Sequence, residues 1–126
     1  MDLFRKELGR KGEELAKHYL VEHGYQIVQQ NFLLRNGEID IIAIENPESK
    51  DRTLVFFEVK TRTSNDYGTP LEAITYYKMK ALVRAAEVFK HSHKNLPDAL
   101  RIDAIAVTVL PNGELVNIEH VKNISE

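Results

Sequence analysis

The sequence predicts an α/β fold, a mixed β-sheet flanked by helices in the order α-β-β-β-α-β-β, and three observations carry that prediction. Two stretches repeat apolar residues at helical spacing, around Leu8, Leu15, Ala16, Tyr19 and Leu20 and around Leu71, Ile74, Ala81, Leu82, Ala85, Val88 and Phe89. The second is long enough for a right-handed crossover, which makes the strands on either side of it parallel neighbours. Pro111-Asn112-Gly113 signals a tight turn between the last two β-rich segments. With 126 residues, 43% hydrophobic and 29% charged, the chain has the size and composition of a single domain over residues 1–126.

The elements follow in order. Asp2 is the expected N-cap of a first helix over residues 3–23, with Gly24 as its stop. Gly9 and Gly12 either delay that helix to about Arg10 or mark the close approach of another backbone. Residues 25–30 read as a short strand, and residues 37–45 and 53–61 as two longer ones joined by the polar loop 46–52. Thr69-Pro70-Leu71-Glu72 has the form of a capping box with proline at the first helical position, so the second helix is expected from there to about His91. Residues 101–109 and 114–120 complete the strands.

Composition excludes several classes. Seventeen Lys and Arg against nineteen Asp and Glu give a formal charge of -2, so a strongly basic nucleic-acid binder is not indicated and any anionic partner must be met locally. Without cysteine there is neither a disulfide nor a thiolate zinc site. No apolar run approaches the ~20 residues of a membrane span, and the first residues lack the apolar core of a signal peptide, so a cytoplasmic protein with no membrane partner is expected. The five histidines show no ligand spacing beyond His91-x-His93, which suits a helix terminus, and nothing calls for an organic cofactor.

The hairpin carries the chemistry. If its loop is symmetric about Ser49, facing residues sum to 98: Ile39 meets Val59, Ile41 meets Phe57 and Ala43 meets Val55, with Ile42–Phe56 and Ile44–Leu54 on the other face. Provided no bulge intervenes, the same register opposes Glu38 to Lys60 as an ordinary ion pair and Asp40 to Glu58. Two carboxylates ~5 Å apart across a strand pair are destabilising unless a positive charge lies between them. A divalent cation such as Mg²⁺ accepts a few carboxylate oxygens and supplies that charge. Lys60, on the same face as Glu58, stands where it can hold or deprotonate a water beside a phosphate. Glu48-Ser49-Lys50 also matches acid-x-Lys, but in a polar loop, whereas Glu58-Val59-Lys60 closes the apolar run 54–57. On pattern alone a second reading stands level, a salt-bridged strand end with Lys60 shared among Glu38, Asp40 and Glu58.

The segments Gly12-Glu13-Glu14-Leu15-Ala16, Asn36-Gly37-Glu38-Ile39-Asp40-Ile41-Ile42-Ala43, Phe57-Glu58-Val59-Lys60-Thr61-Arg62, Gly68-Thr69-Pro70-Leu71-Glu72-Ala73-Ile74 and Arg101-Ile102-Asp103 closely resemble the YraN-type family of small bacterial proteins. That family is regarded as a predicted endonuclease of the PD-(D/E)XK superfamily, related to archaeal Holliday-junction resolvases. The resemblance implies a restriction-endonuclease-like sheet and a metal-dependent endonuclease hydrolysing DNA phosphodiester bonds at branched or junction structures, with a homodimer as an allowed assembly. It implies that Asp40, Glu58 and the Val59 carbonyl hold Mg²⁺ or Mn²⁺ and that Lys60 is the catalytic lysine. Superfamily relatives also use a glutamate on the first helix, and at ~100° per residue Glu13 lies within ~20° of Leu20 at the margin of the apolar face, while Glu14 points away. An isolated Glu13 would instead read as an exposed acid paired with Lys17.

Lys78 projects from the apolar face of the second helix and either reaches the site or a phosphate, or snorkels outwards. Arg62 is the expected phosphate contact in the polar segment 62–68, which equally suits an ordinary strand-to-helix loop. Arg101 and Asp103 share a strand face and read as a structural ion pair. Where relatives commonly carry a proline and a denser basic run, this chain has Thr75-Tyr76-Tyr77-Lys78-Met79-Lys80; Tyr76 is either a stacking surface or a half-buried ring. The thin positive charge leaves an alternative function, a non-catalytic nucleic-acid-binding or protein-interaction module on the same fold.

Overall fold

The computed structural model describes residues 3–35, 37–64 and 70–125. Helix α1 (Leu3–Glu22) leads into strands β1 (Gln26–Leu34), β2 (Gly37–Glu45) and β3 (Thr53–Thr63). A 3₁₀ turn (Pro70–Ala73), helix α2 (Tyr76–Ser92) and strands β4 (Ala99–Val109) and β5 (Leu115–Val121) follow. This is the expected α-β-β-β-α-β-β order, in one five-stranded sheet ordered β1-β2-β3-β4-β5. Neighbours are antiparallel except β3 and β4, which run parallel from Thr53↔Ala99 to Thr63↔Val109, as the α2 crossover requires.

A helix covers each face. On one, α1 buries Gly12, Ala16 and Leu20, a stripe at four-residue spacing, against Ile41, Ala43, Val55, Phe57, Ile105 and Val107. On the other, α2 buries Leu82, Ala85, Ala86 and Phe89 against Ile42, Ile44, Leu54, Phe56 and Ile102. Val88, expected on that apolar face, is exposed. Neither helix is long and apolar enough to cross a membrane, among the described residues.

Several boundaries differ from expectation. Strand β1 runs to Leu34 because it pairs with β2 along its length, as far as Leu34↔Gly37. Helix α2 starts at Tyr76: Pro70–Ala73 forms a separate 3₁₀ turn, and Thr75 is the N-cap, its Oγ1 accepting from the Lys78 N–H at 3.2 Å. The first helix is not delayed by its glycines. Asp2, Thr69 and most of the 62–68 loop, to which capping and closure were assigned, lie outside the described residues.

The hairpin register is the expected one from Glu45↔Thr53 to Ile41↔Phe57, every pair summing to 98. It stops there. Ile39 packs on the α2 face while Ile41 packs on the α1 face, although alternation would place them together. The reversal coincides with Asn31 of β1, whose φ is 53°, between the pairs Gln30↔Ile41 and Phe32↔Ile39. The expected Ile39–Val59, Asp40–Glu58 and Glu38–Lys60 pairings are therefore corrected: an irregularity at Asn31 and Asp40 turns the end of β2 and opens it from β3.

Candidate metal centre

That opening creates the site. With its ladder partner gone, the Val59 N–H donates to the Asp40 carboxylate, at 2.7 Å from Oδ2. Asp40 and Glu58 are both buried, at 8% and 4% exposure, in a region where charge is costly. Helix α1 brings Glu13 to the same place, and the carboxylate oxygens of Glu13, Glu38 and Asp40 lie within 4.8 Å of one another. The side-chain amide nitrogen of Asn31 donates to Glu13 Oε1 at 3.0 Å and to Glu38 Oε1 at 2.9 Å. The left-handed turn at Asn31 thus both redirects the strand and bridges two of the acids. Glu14 is exposed on the far side of α1.

The cations stand on the other flank. Lys78 of α2 reaches Glu58, with Nζ 3.3 Å from Oε1, while Glu58 Oε2 is buried without a hydrogen-bond partner. Lys60 is half-buried beside Lys78. No Glu38–Lys60 ion pair forms among the described residues, since Glu38 turns instead towards Glu13 and Asp40. A cleft of about 440 Å³ opens on this cluster, lined by Gly37, Glu38, Asp40, Glu58, Tyr77, Lys78, Ala81 and Leu82. Arg62, half-buried on β3 opposite Thr108, is not among its lining residues.

The electrostatics follow from crowding. Burial, and then the Glu58 charge, push Asp40 up to about 8, against the opposing Val59 hydrogen bond. Burial and the neighbouring Glu38 also raise Glu13. Lys60 is lowered by burial and by Lys78, in spite of Glu58 and Asp40; Lys78 is raised, the effect of Lys60 and Glu58 exceeding that of its burial. The cleft therefore holds more carboxylates than it can ionise cheaply, beside a lysine held towards its neutral form.

The donor set suits a hard divalent cation: three carboxylates converge, and a buried oxygen of Glu58 is unsatisfied. Sequence reasoning placed Glu13, Asp40, Glu58 and Lys60 here but assigned Glu38 to an ion pair. It also passed over Asn31 and Tyr77, which carry no motif.

Gly12 fixes the position of Glu13. A Cβ on Gly12 would fall against Thr61 Oγ1 and within 2.7 Å of Thr61 Cβ, so α1 and β3 approach as closely as they do only because the residue is glycine. Nothing lies within 4 Å of a Cβ at Gly9. Gly12→Ala is expected to cost about 1–3 kcal/mol by overpacking and to draw Glu13 away from Asp40. Thermal melting and a Mn²⁺ titration would show both; wild-type values in each would refute the close-packing account.

Comparison with known proteins adds the family. The model of the family described as "Uncharacterised protein family UPF0102" matches residues 12–107. The chain is 42% identical over 126 residues to a UPF0102 protein of Geobacter metallireducens, covering 100% of this chain and 98% of the relative. It is 40% identical over 127 residues to one of Chlorobium phaeobacteroides, covering 98% and 97%. A relative from Leifsonia xyli subsp. xyli is 47% identical over 103 residues, covering 82% of this chain and 83% of its own.

Proposed function

The chain belongs to the uncharacterised protein family UPF0102, the YraN-type family its motifs resemble, and we propose that its cleft is a Mg²⁺ or Mn²⁺ site for hydrolysing DNA phosphodiester bonds. The observation that carries this reading is the convergence of Glu13, Glu38 and Asp40 within 4.8 Å beside Glu58 and two lysines. Asp40, Glu13, Glu38 and Glu58 would hold the ion. The Val59 carbonyl is a further candidate ligand, because in an extended strand it points to the same side as the N–H that meets Asp40. The ion supplies Lewis-acid charge at the scissile phosphate and acidifies water there.

The remaining work falls to the lysines. Lys60, held below its ordinary pKa, takes or positions the proton of the attacking water. Lys78 keeps its charge beside Glu58 and meets the phosphate. Arg62, farther along β3, is assigned to the DNA backbone beyond the cleft. Incubation of the protein with Mn²⁺ and labelled linear, flapped and four-way-junction DNA tests the proposal. Cleavage of at least one substrate is expected, with Lys60→Met slower by about 100-fold or more and its metal-induced stabilisation retained. Absence of both cleavage and any metal response in the wild type would overturn it.

One observation favours a second reading. The Lys78 ammonium already compensates Glu58 without metal, as a non-catalytic nucleic-acid-binding module would require. That reading predicts that Asp40→Asn and Lys60→Met leave DNA binding intact and that no substrate is cut.

A further inference from the structure

Resting on the nuclease reading, we infer that Tyr76 and Tyr77 form a stacking platform for unpaired nucleobases at the mouth of the cleft, so that the site takes nucleic acid whose strand is unpaired where it is cut. The two residues are 70% and 82% exposed. Both occupy the first turn of α2, directly before Lys78. Tyr77 lines the same cleft as Asp40 and Glu58, so a base on its ring lies next to the acids. Tyr76 lines an adjoining groove of about 780 Å³ along α2, with Lys80, Arg84 and Ile124.

Ring geometry selects the state of the strand. The ring centroids are 5.7 Å apart and the planes meet at 74°. Faces set so nearly at right angles cannot continue the parallel stack of a duplex; they suit bases splayed away from one another. Charge selects the class of partner. Lys80 Nζ lies over one face of the Tyr76 ring, 5.3 Å from its centroid, so a base stacks there on the opposite face or in place of the ammonium, and with Lys78 and Arg84 it gives this helix the cations that a phosphate backbone needs beside an otherwise acidic cleft. An aromatic face flanked by cations is the pattern of single-strand recognition, in which base stacking supplies affinity without sequence readout.

The chain has five tyrosines and no tryptophan, so emission is free of tryptophan background, and the part of any quenching that disappears in the alanine variants belongs to Tyr76 and Tyr77. Titration with oligo(dT) in EDTA, where metal-dependent cleavage does not run, is expected to quench that emission. The single strand should bind several-fold tighter than a blunt duplex of equal length. Tyr76→Ala and Tyr77→Ala are each expected to weaken single-strand binding about fivefold or more, while Tyr76→Phe and Tyr77→Phe retain it. Wild-type affinity in the double alanine variant, or equal binding and quenching by duplex, would overturn the inference. So would loss of a dimer in sedimentation with DNA binding unchanged, which would assign the face to a second copy. If single-strand binding ignores the tyrosines while metal binding still needs Asp40, only the platform fails. If the wild type shows neither cleavage nor a metal response while the tyrosines still govern binding, only the hydrolytic reading fails.

Discussion

Asp40→Asn is expected to raise the melting temperature of metal-free protein at pH 8 and to abolish the rise that Mn²⁺ gives the wild type. The first effect follows from the sign of the pKa shift. Asp40 is pushed up to about 8 by burial and Glu58, whereas an unfolded aspartate titrates near ~3.9. Between those values the folded state binds more protons than the unfolded state, so this group makes stability fall as pH rises, the loss being complete above about 8. Asparagine removes that dependence and can still accept the Val59 N–H through its amide oxygen.

The second effect follows from exchange of a proton for a metal. A cation at 100 times its dissociation constant stabilises by about 2.7 kcal/mol, or roughly 10 °C for a domain of this size. Because binding displaces the Asp40 proton, affinity should strengthen about tenfold per pH unit up to about 8 and then level off. Differential scanning fluorimetry at pH 6, 7 and 8 across a Mn²⁺ series measures all three slopes. A metal response that survives in Asp40→Asn would remove Asp40 from the site, and a pH-independent response would remove its proton from the binding equilibrium.

The sequence made most of this architecture legible, for reasons that stop at an identifiable place. Alternation in β2 and β3 specified their register because a one-residue slip would mix apolar and charged sets, and the five observed pairs obey it. The prediction failed beyond Ile41↔Phe57, where Asn31 enters the left-handed region and the end of β2 turns. Asparagine tolerates that conformation better than most residues, but a single asparagine inside a strand pattern does not signal it. Glu38 was misread for the same reason: as a flat-strand residue it faced Lys60, and the turn delivers it to Glu13. Which of Glu13 and Glu14 faces the cluster was legible because 100° per residue is a firm rule over one helix. The start of α2 was not, because the sequence pattern at Thr69 and Pro70 matches a helix start as well as Thr75 does, and the observed cap of α2 is Thr75.

Arg101→Met is expected to destabilise the fold by about 3–5 kcal/mol while leaving the metal response of the surviving folded protein intact. Arg101 donates through Nε and Nη2 to Asp103 at 2.8 and 2.9 Å and through Nη1 to Glu45 at 2.7 Å, the structural pairing its strand position suggested. Asp103 is 0% exposed and also accepts from the Asn123 N–H and His120 Nε2. His120 Nδ1 is left to accept from the Tyr19 hydroxyl at 3.2 Å, and Tyr25 and Lys122 complete the Glu45 shell. The guanidinium thereby ties β4 to β2, and the chain from Asp103 through His120 to Tyr19 extends the network to β5 and α1. Its removal takes three hydrogen bonds from two carboxylates, leaving fully buried Asp103 with only His120 and Asn123 and Glu45 with Lys122 and Tyr25, and an under-compensated buried charge costs more than the pair contributes.

The pH dependence identifies the cause of the loss. Arg101, Lys122 and Tyr25 hold Glu45 down at about 2; burial opposes ionisation of Asp103, but His120, Arg101 and Asn123 outweigh it and lower its pKa as well. Folded values below the unfolded ones stabilise above the ordinary carboxylate range, and that contribution is lost as pH falls from about 4 towards 2. The deficit of Arg101→Met should therefore be greatest at neutral pH and shrink on acidification, as the stranded acids protonate. Adding Asp103→Asn should recover part of it at pH 7. A deficit unchanged between pH 7 and 3 would mean that lost packing of the arginine stem, rather than stranded charge, accounts for the damage.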